Sequence, residues 1–387
     1  MRHRSEGPIR VMRIIARMNV GGPAVQISGL MRGLSSTDFD HRLFTGYCAL
    51  GEADYLETVA MDVKSVRIKG FGRRISVSGD LKALLSLIKE IREFKPHVIH
   101  THTAKAGFLG RMASIFSGHT SIRVHTFHGH LLNGYFGYFK RWLVILAEKL
   151  LSLVTHELLA VGDKVRQDLL KAGIGTKGRF GLMPPGLEIG TLFSKEESRT
   201  ALGLHVENLQ CAFIGRVTQI KRPDRFLDVA REINKRGIKL DFFIAGDGEL
   251  LDTCKERIKQ EGLPVRVLGW QSNIERVLSS ADIVVLTSDN EGTPLSLIQA
   301  GMAKLPVVTT NVGSVSEIVV NGVTGIVTSL DVQEIANSIE SLVSRQDLRE
   351  SLGLAAHEFT LSNFGVDRLV HDHEELYKKL LSSQAKS

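Results

Sequence analysis

A carboxylate followed by a helix start lies near residue 290, and this combination can bind both phosphate and hydroxyl groups. The apolar residues 283–286 predict a buried strand, and Glu291 follows in a short polar loop. A helix is predicted to begin at about Leu295. The residues between them are Gly292, Thr293 and Pro294. Backbone N–H groups at a helix start attract anions, and a neighbouring carboxylate can accept hydrogen bonds from hydroxyls. Phosphate and hydroxyls together indicate a nucleotide sugar.

A basic loop follows another predicted strand, at residues 211–214. It begins at Gly215 and carries Arg216 and Lys221. Arginine offers a planar fork for phosphate oxygens, whereas lysine is a mobile point charge. Two cations five residues apart on one loop can clamp a diphosphate without a metal ion. A solvated basic turn would have the same composition, but the position directly after a strand favours the clamp.

The first predicted strand is also followed by a possible ligand loop, which contains Gly21 and Gly22. Paired glycines let the backbone approach a ligand closely. An ordinary strand-to-helix turn is the alternative for these two residues. The full G-x-G-x-x-G pattern is absent, so the sequence does not predict a dinucleotide site.

Two His-x-His pairs, at residues 100–102 and 128–130, close two further predicted strands. Neutral imidazoles bind metals, but no cluster of carboxylates completes either pair. We therefore expect no metal and no cofactor. A polar site at the edge of the sheet is favoured, in which His128 contacts the substrate. A histidine buried in the core is the alternative for the same residue.

All these segments follow predicted strands, which places them at one edge of parallel sheets. Short β-branched runs alternate with helical patterns over residues 11–171 and again over residues 211–310. This alternation predicts parallel sheets with right-handed crossovers. We therefore predict an α/β fold with two doubly wound, Rossmann-like domains that face each other across a cleft, where open sheets bind ligands.

The alternation breaks at a Pro-Pro-Gly sequence that ends at residue 186, and residues 188–208 are polar and weakly periodic. We predict a first domain over residues 1–186 and a second over residues 187–365. A helical tail, from about residue 366 to 387, is expected to cross back onto the first domain. The Asn-Gly pair at residues 321–322 predicts a hairpin turn.

The bulk composition narrows the possible partners. The chain has 387 residues, a formal net charge of +7 and three cysteines. The charge suits anionic partners, and three widely spaced cysteines are typical of a reducing cytoplasm. We expect neither a signal peptide nor a membrane-spanning helix, and the dispersed Lys and Arg residues do not predict nucleic-acid binding. Aromatic residues beside cations at 131–142 indicate either peripheral contact with an anionic membrane or a helix packed on its own domain.

With these motifs assembled, the chain resembles glycosyltransferase family 4, a group of retaining enzymes with the two-domain GT-B fold. The resemblance covers roughly residues 11–364. The sequences at residues 100–107 and 126–130 are typical of the branch that builds bacterial surface polysaccharides. Gly215 and Arg216 with Lys221 resemble the diphosphate clamp of the family. Glu291 and Gly292 with Pro294 resemble the start of its E-x7-E motif.

The resemblance implies a role for each candidate residue. Arg216 and Lys221 would neutralise the donor diphosphate and stabilise the leaving group, while Glu291 would hold hydroxyls of the transferred sugar. His128 would lie beside that sugar and the incoming acceptor. The remaining donor-binding positions would be backbone contacts: Gly21, Gly22, Gly215, Gly292, Thr293, Pro294 and Leu295. The second domain would then bind the nucleotide sugar, and the first would face the acceptor.

One position departs from the family pattern. The second glutamate of the motif is replaced by Gln299, at the position that usually binds the ribose hydroxyls. An amide can still form hydrogen bonds there, but a charge-assisted contact is roughly twice as strong. We expect weaker or altered ribose recognition.

Together with this resemblance, these observations predict a cytoplasmic, metal-independent glycosyltransferase that uses a nucleotide diphosphate sugar, with UDP-sugars favoured. Retention of configuration is implied by the resemblance alone. The acceptor would be a hydroxyl of a saccharide or lipid-linked saccharide in the synthesis of surface polysaccharide. Three alternatives stay open at this point: a nucleotide-sugar epimerase of the same architecture, a non-catalytic protein that binds nucleotide sugars, and a metal-dependent hydrolase built on the histidine pairs.

Overall fold

The computed structural model describes residues 7–72, 74–129 and 138–384, with only the backbone of residues 138–140. Contacts between Cα atoms divide the chain into two compact units. Unit 1 consists of Met1–Leu187 and Val366–Ser387, and unit 2 consists of Glu188–Gly365. The last helix of the chain therefore belongs to the same unit as the first strand.

Unit 1 contains a seven-stranded parallel sheet in the order β3-β2-β1-β4-β5-β6-β7. Its strands are β1 Ile9–Ile15, β2 Phe39–Thr45, β3 Ser65–Arg67, β4 Val98–His102, β5 Ile122–Phe127, β6 Glu157–Ala160 and β7 Phe180–Leu182. Its helices are α1 Gly22–Gly33, α2 Tyr55–Thr58, α3 Val77–Phe94, α4 Ala104–Phe116, α5 Tyr138–Leu153, α6 Asp163–Lys171 and, at the other end of the chain, α14 Val366–Gln384.

Both faces of this sheet are covered because its strands alternate between two apolar sets of side chains. On β1, Met12 and Ile14 pack with Ala83 and Leu87 of α3. The opposite face of β1 carries Val11, in a cluster with side chains of α1 and α14. Helix α14 thus supplies part of the core of unit 1.

Unit 2 contains a six-stranded parallel sheet in the order β10-β9-β8-β11-β12-β13. Its strands are β8 Gln210–Ile214, β9 Asp241–Ala245, β10 Val265–Gly269, β11 Ile283–Leu286, β12 Val307–Thr310 and β13 Ile326–Thr328. Its helices are α7 Lys195–Leu202, α8 Pro223–Lys235, α9 Leu251–Glu261, α10 Ile274–Ser280, α11 Leu295–Met302, α12 Val332–Ser344 and α13 Gln346–Phe364. All four residues of β11 are buried, as a central strand requires.

These two sheets confirm the predicted doubly wound α/β fold. In each unit the strand order reverses between two neighbouring strands, β1 and β4 in unit 1 and β8 and β11 in unit 2, and ligands of such sheets bind beside that reversal.

One local prediction was wrong in part. The Asn321–Gly325 segment is a turn, as predicted, but it does not join a hairpin, because β13 pairs with β12 in parallel. The polar residues 188–208 include helix α7, whose first turn is capped by the Ser194 hydroxyl. Its sequence is mostly polar because only a narrow side of the helix is buried, so the apolar period is weak. Within the described residues, no helix is long and apolar enough to span a membrane.

Candidate functional site

The loops after β8 and β11 bring together two of the residues selected from the sequence. Lys221 Nζ lies 2.5 Å from Glu291 Oε1. The Glu291 carboxylate is only 8% exposed and the Lys221 side chain 16%. The two charges therefore form an ion pair that is largely shielded from water, beside the point where the strand order reverses.

The Glu291 loop is held in place by three further contacts. The Ser288 hydroxyl donates a hydrogen bond to the same carboxylate oxygen at 2.5 Å. The Glu291 carbonyl accepts from the Ser314 N–H at 3.3 Å. Gly313 lies so close that a Cβ there would be 1.7 Å from the Glu291 carbonyl oxygen. The carboxylate is thus oriented by its own loop and by the loop after β12.

The other charged residues of this region form a separate network. Arg222 and Arg225 both bind Asp289, at 3.0 and 2.8 Å. Although partial burial opposes the effect, these hydrogen bonds lower the pKa of Asp289. Arg222 also binds Asp224 at 2.8 Å. Both of these arginines are therefore paired with carboxylates of the protein itself.

The proposed clamp residue Arg216 differs from those arginines. Its side chain is exposed, directly after Gly215. The N–H of Gly215 donates to the Ala245 carbonyl at 3.0 Å, which fixes the start of the loop against β9. Within the described part of the chain, Arg216 forms no ion pair, so its guanidinium can bind a ligand.

Helix α11 begins at Leu295, as the sequence predicts, and Pro294 is its N-cap. Pro294 has no side-chain acceptor with which to cap the first amides of this helix. Gly292 and Thr293 are partly exposed between the Glu291 carboxylate and the helix. Gln299 lies in α11 about one turn after Leu295 and is also partly exposed. A helix start of this kind favours an anion beside its first turn.

In unit 1, Gly21 and Gly22 follow β1, where Gly21 caps α1 and its carbonyl accepts from the Ala24 N–H at 3.1 Å. His128 follows β5, two strands away in the sheet order, and is partly exposed. Its Nε2 lies 2.9 Å from His102 Nδ1. Burial and then the charge of Arg13 lower the pKa of His128 to about 3, so its imidazole is neutral at pH 7.

The structure therefore groups the selected residues into two sets. Lys221, Glu291 and the start of α11 meet in unit 2, whereas Gly21, Gly22 and His128 lie at the corresponding edge of the sheet in unit 1. His130 and the aromatic residues 131–137 lie outside the described residues. Among the described residues, no group of three His, Cys, Asp or Glu side chains could hold a metal ion.

Several residues of these sites were missed from the sequence. Ser288 precedes Glu291 in its loop and Gly313 lies in the loop after β12, but their contacts with Glu291 depend on how these loops fold. Arg13 and Tyr377 gave only an indirect signal, a charged residue in an apolar strand and a tyrosine on a helix.

Two family models together match most of the chain. The model "Glycosyltransferase Family 4" matches residues 20–189, and "Glycosyl transferases group 1" matches residues 194–359. With the two doubly wound units, these matches show a glycosyltransferase of the GT-B type. The chain belongs to glycosyltransferase family 4.

Three similar proteins illustrate this membership. A UDP-Gal:α-D-GlcNAc-diphosphoundecaprenol α-1,3-galactosyltransferase of Escherichia coli is 28% identical over 76% of this chain and 77% of its own length. A capsular polysaccharide biosynthesis glycosyltransferase of Staphylococcus aureus is 24% identical over 86% of this chain and 93% of its own. The crystal structure of Anabaena HepE in complex with UDP and glucose superposes with a TM-score of 0.80 at 17% identity, over 96% of this chain and 99% of that one.

Proposed function

We propose that this glycosyltransferase is metal-independent and retaining, and that it transfers a sugar from a UDP-sugar to a hydroxyl of a saccharide or lipid-linked saccharide in polysaccharide synthesis. The observation that carries the proposal is the shielded Lys221–Glu291 pair beside the start of α11, with the exposed Arg216 on the neighbouring loop. Together they offer positive charge for a diphosphate and a carboxylate for sugar hydroxyls.

The proposed reaction needs no nucleophile from the protein. Arg216 and Lys221 bind the diphosphate and stabilise the charge that develops on it as the bond to the sugar breaks. An oxygen of the departing diphosphate takes the proton of the acceptor hydroxyl, which attacks the same face of the sugar. Fixed charge at the site of developing charge is usually the largest catalytic contribution. Glu291 accepts hydrogen bonds from the sugar, and His128 contacts the substrate from unit 1.

The choice of donor and acceptor is supported by the relatives. The Escherichia coli protein uses UDP-galactose and a sugar-diphosphoundecaprenol, and the Staphylococcus aureus protein acts in capsule synthesis. The Anabaena structure holds UDP and glucose. The backbone at Gly21 and Gly22 and at the start of α11 is proposed to meet phosphate oxygens of such a donor.

The first test is thermal unfolding with UDP, GDP, ADP, CMP or TDP, each in excess EDTA. A ligand at about 100 times its dissociation constant adds about 2.7 kcal/mol to the free energy of unfolding. We expect UDP to raise Tm despite the chelator, and Arg216→Met to reduce the rise. Lys255→Met, which removes an exposed cation paired with Asp252 on α9, is the matched control and should keep it. No shift with any nucleotide would overturn the proposal.

A second part of the proposal concerns the acceptor side of unit 1. Helix α5 exposes a row of apolar side chains between 40% and 70% of their area: Trp142, Leu143, Leu146, Leu150 and Leu153. Their spacing puts most of them on one face of the helix. The buried face of α5 is fixed by an ion pair of 2.7 Å between Glu148 and Arg111 of α4.

We propose that this face of α5 contacts an anionic lipid bilayer, where a lipid-linked acceptor would reside. The exposed cations Arg141 and Lys149 lie on the same helix, and the chain carries a net charge of +7. Apolar side chains with flanking cations are the pattern of helices that lie at a membrane surface. The partner that we propose for the exposed apolar face of α5 is therefore a lipid surface of negative charge.

Sedimentation with vesicles tests this contact. The protein should sediment with phosphatidylglycerol vesicles at low salt but not with phosphatidylcholine, and Leu150→Glu should abolish the binding. Leu354→Glu, at an equally apolar exposed position on α13 of unit 2, is the control and should bind as the wild type does. Equal binding of both variants, or a dimer in solution that Leu150→Glu dissociates, would contradict the proposal.

A further inference from the structure

A buried polar cluster interrupts the apolar face of the unit 1 sheet that α14 covers. We call it the histidine cluster: Arg13 on β1, His100 and His102 on β4, Thr126 and His128 on and after β5, and Tyr377 on α14. The strands place these side chains together because Arg13 pairs with His100, and His102 with Thr126, in the parallel registers. Alternation then puts His102 on the same face as His100, and His128 on the same face as Thr126.

Arg13 is the member of this cluster with a fixed hydrogen-bonding role. Its side chain is fully buried, and within the described residues no carboxylate forms an ion pair with it. Instead, Nη1 lies 3.3 Å from His102 Nε2 and Nη2 lies 3.2 Å from the Tyr377 hydroxyl. A guanidinium donates hydrogen bonds and accepts none. Both partners must therefore accept a hydrogen bond from it.

The first contact determines where the next two rings carry their protons. Burial, with the charges around it, keeps the pKa of His102 and of His128 far below 6.5, so both rings are neutral and each has one N–H. His102 accepts at Nε2 and therefore carries its proton on Nδ1. That proton is donated across 2.9 Å to His128 Nε2. His128 consequently carries its own proton on Nδ1.

The second contact gives a consistent result for the other branch. Because the Tyr377 oxygen accepts from Arg13, its own proton is donated to His100 Nδ1, at 2.6 Å. His100 then carries its proton on Nε2 and donates it to the Thr126 hydroxyl at 2.7 Å. His373, which faces the cluster from α14, also has a lowered pKa, as does His125 on the opposite face of β5, so Arg13 is the charged group that orders the cluster.

We propose that Arg13, acting through His102, is a positioning residue that makes His128 a neutral hydrogen-bond donor at Nδ1 and prevents it from acting as a general base. The inference rests on the proposed function, in which His128 contacts the substrate. A ring that is already bonded at Nε2 and protonated at Nδ1 offers no free lone pair for a proton. His128 then binds an oxygen lone pair of the substrate, and the acceptor proton goes to the departing diphosphate.

Nitrogen NMR of the wild-type protein tests the proton positions without any substrate. With histidine labelled by 15N, each ring nitrogen is identified as protonated or unprotonated through its couplings to the ring hydrogens. We expect His102 and His128 to carry the proton on Nδ1 and His100 on Nε2, at pH 7. Signals are assigned by comparison with His128→Asn and His102→Asn. A His128 that is protonated at Nε2, or doubly protonated, would overturn the inference.

Variants at Arg13 provide a second, functional readout. Arg13→Met removes the donor, so His102 and His128 should lose their single tautomer and kcat/KM should fall about tenfold, the equivalent of one hydrogen bond. Arg13→Lys keeps a donor and should restore part of both. A merely structural role would lower Tm in the two variants alike and leave the tautomers unchanged, which contradicts the inference.

The two levels of the proposal can fail separately. If UDP does not raise Tm while the predicted tautomers are observed, the proposed function is wrong and the proton order of the cluster stands. If UDP binds and the tautomers differ, the role of Arg13 is wrong and the glycosyl transfer is unaffected.

Discussion

We propose that Lys221 binds the diphosphate and Glu291 the sugar hydroxyls, yet Lys221 Nζ and Glu291 Oε1 also form an ion pair with each other at 2.5 Å. Each of them is therefore held in position by the charge of the other. Removing one charge leaves its partner shielded from water and unpaired, which is strongly destabilising when a pair is buried. Arg216 has no such partner in the described part of the chain, so the two cations of the clamp should respond differently to substitution.

This difference gives the first prediction. Lys221→Met should lower both Tm and kcat, because it removes the proposed catalytic charge and leaves the shielded Glu291 carboxylate without its counter-charge. Arg216→Met should lower kcat by a factor on the order of 10²–10³, the loss typical of one preorganised donor, without lowering Tm. Calorimetry and steady-state kinetics on both variants measure the two quantities. Equal Tm losses would show that the Lys221–Glu291 pair is not a structural constraint.

Gln299 gives the second prediction. Gln299→Glu restores a carboxylate in α11 at the position that the family pattern uses for ribose. A charge-assisted hydrogen bond to the ribose hydroxyls should lower the Kd for UDP, because such bonds are stronger than neutral ones. Calorimetric titration of both proteins with UDP and with deoxy-UDP checks this. An affinity gain of the same size for the deoxy compound would contradict ribose contact.

At this scale the sequence predicted the residues that follow strands and missed those that depend on long-range register. Glu291 and Lys221 could be selected because their loops adjoin recognisable strands. Arg13 gave only the indirect signal of a charge in an apolar strand, because its partner Tyr377 is 364 residues away along the chain. Only the pairing of β1 with β4 and the packing of α14 bring them together.

The loop after β12 is the element that holds the Glu291 loop in position. Gly313 has a φ of 56°, and a Cβ there would lie 1.7 Å from the Glu291 carbonyl oxygen. Gly322 has a similar φ of 76°, but a Cβ there would meet nothing within 4 Å. A comparison of alanine substitutions at the two glycines therefore distinguishes the strain of the left-handed conformation from the effect of a steric clash.

The third prediction follows from this pair. Gly313→Ala and Gly322→Ala should each lose about 1–2 kcal/mol of unfolding free energy through backbone strain. Only Gly313→Ala should also lower kcat, because the Glu291 backbone must move away from the new methyl group. Denaturant unfolding and kinetics on the two variants give the comparison. Normal turnover in Gly313→Ala would mean that the position of Glu291 is not critical.

At the scale of elements, most strands and helices were predictable because their apolar residues repeat with a clear period. Helix α7 was missed because it buries little, and β13 because three residues are too few to show alternation. The Asn-Gly pair was interpreted by its local turn chemistry. Only the sheet order showed that the chain continues in parallel.

The two units differ in how their histidines respond to acid. The described histidines with a lowered pKa all lie in unit 1: His41, His97, His100, His102, His125, His128, His156 and His373. Burial is the first cause in each case. A folded pKa below the unfolded value of about 6.5 means that the unfolded chain binds the extra proton. The contribution of these histidines to the free energy of unfolding is therefore fully present above pH 6.5. It decreases as the pH falls towards the folded pKa, which is about 3 for His128 and His373.

The fourth prediction is that unit 1 loses stability below pH 6.5 before unit 2 does. Each fully buried histidine that must stay neutral lowers the free energy of unfolding by about 1.4 kcal/mol per pH unit. The chain has one tryptophan in each unit, Trp142 and Trp270. Thermal unfolding followed by fluorescence in Trp270→Phe reports unit 1, and in Trp142→Phe it reports unit 2. Parallel shifts of both transitions between pH 7.5 and pH 5 would contradict this assignment.

The position of α14 after unit 2 in the chain determines when unit 1 can complete its core. Unit 2 is a continuous segment, whereas the core of unit 1 lacks Leu369 and Tyr377 until residues after unit 2 have been translated. The whole of unit 2 is therefore synthesised while β1 and Arg13 still lack their covering helix. Unit 1 completes its core only once α14 is present, and a chain that stops within unit 2 leaves one apolar face of the first sheet uncovered.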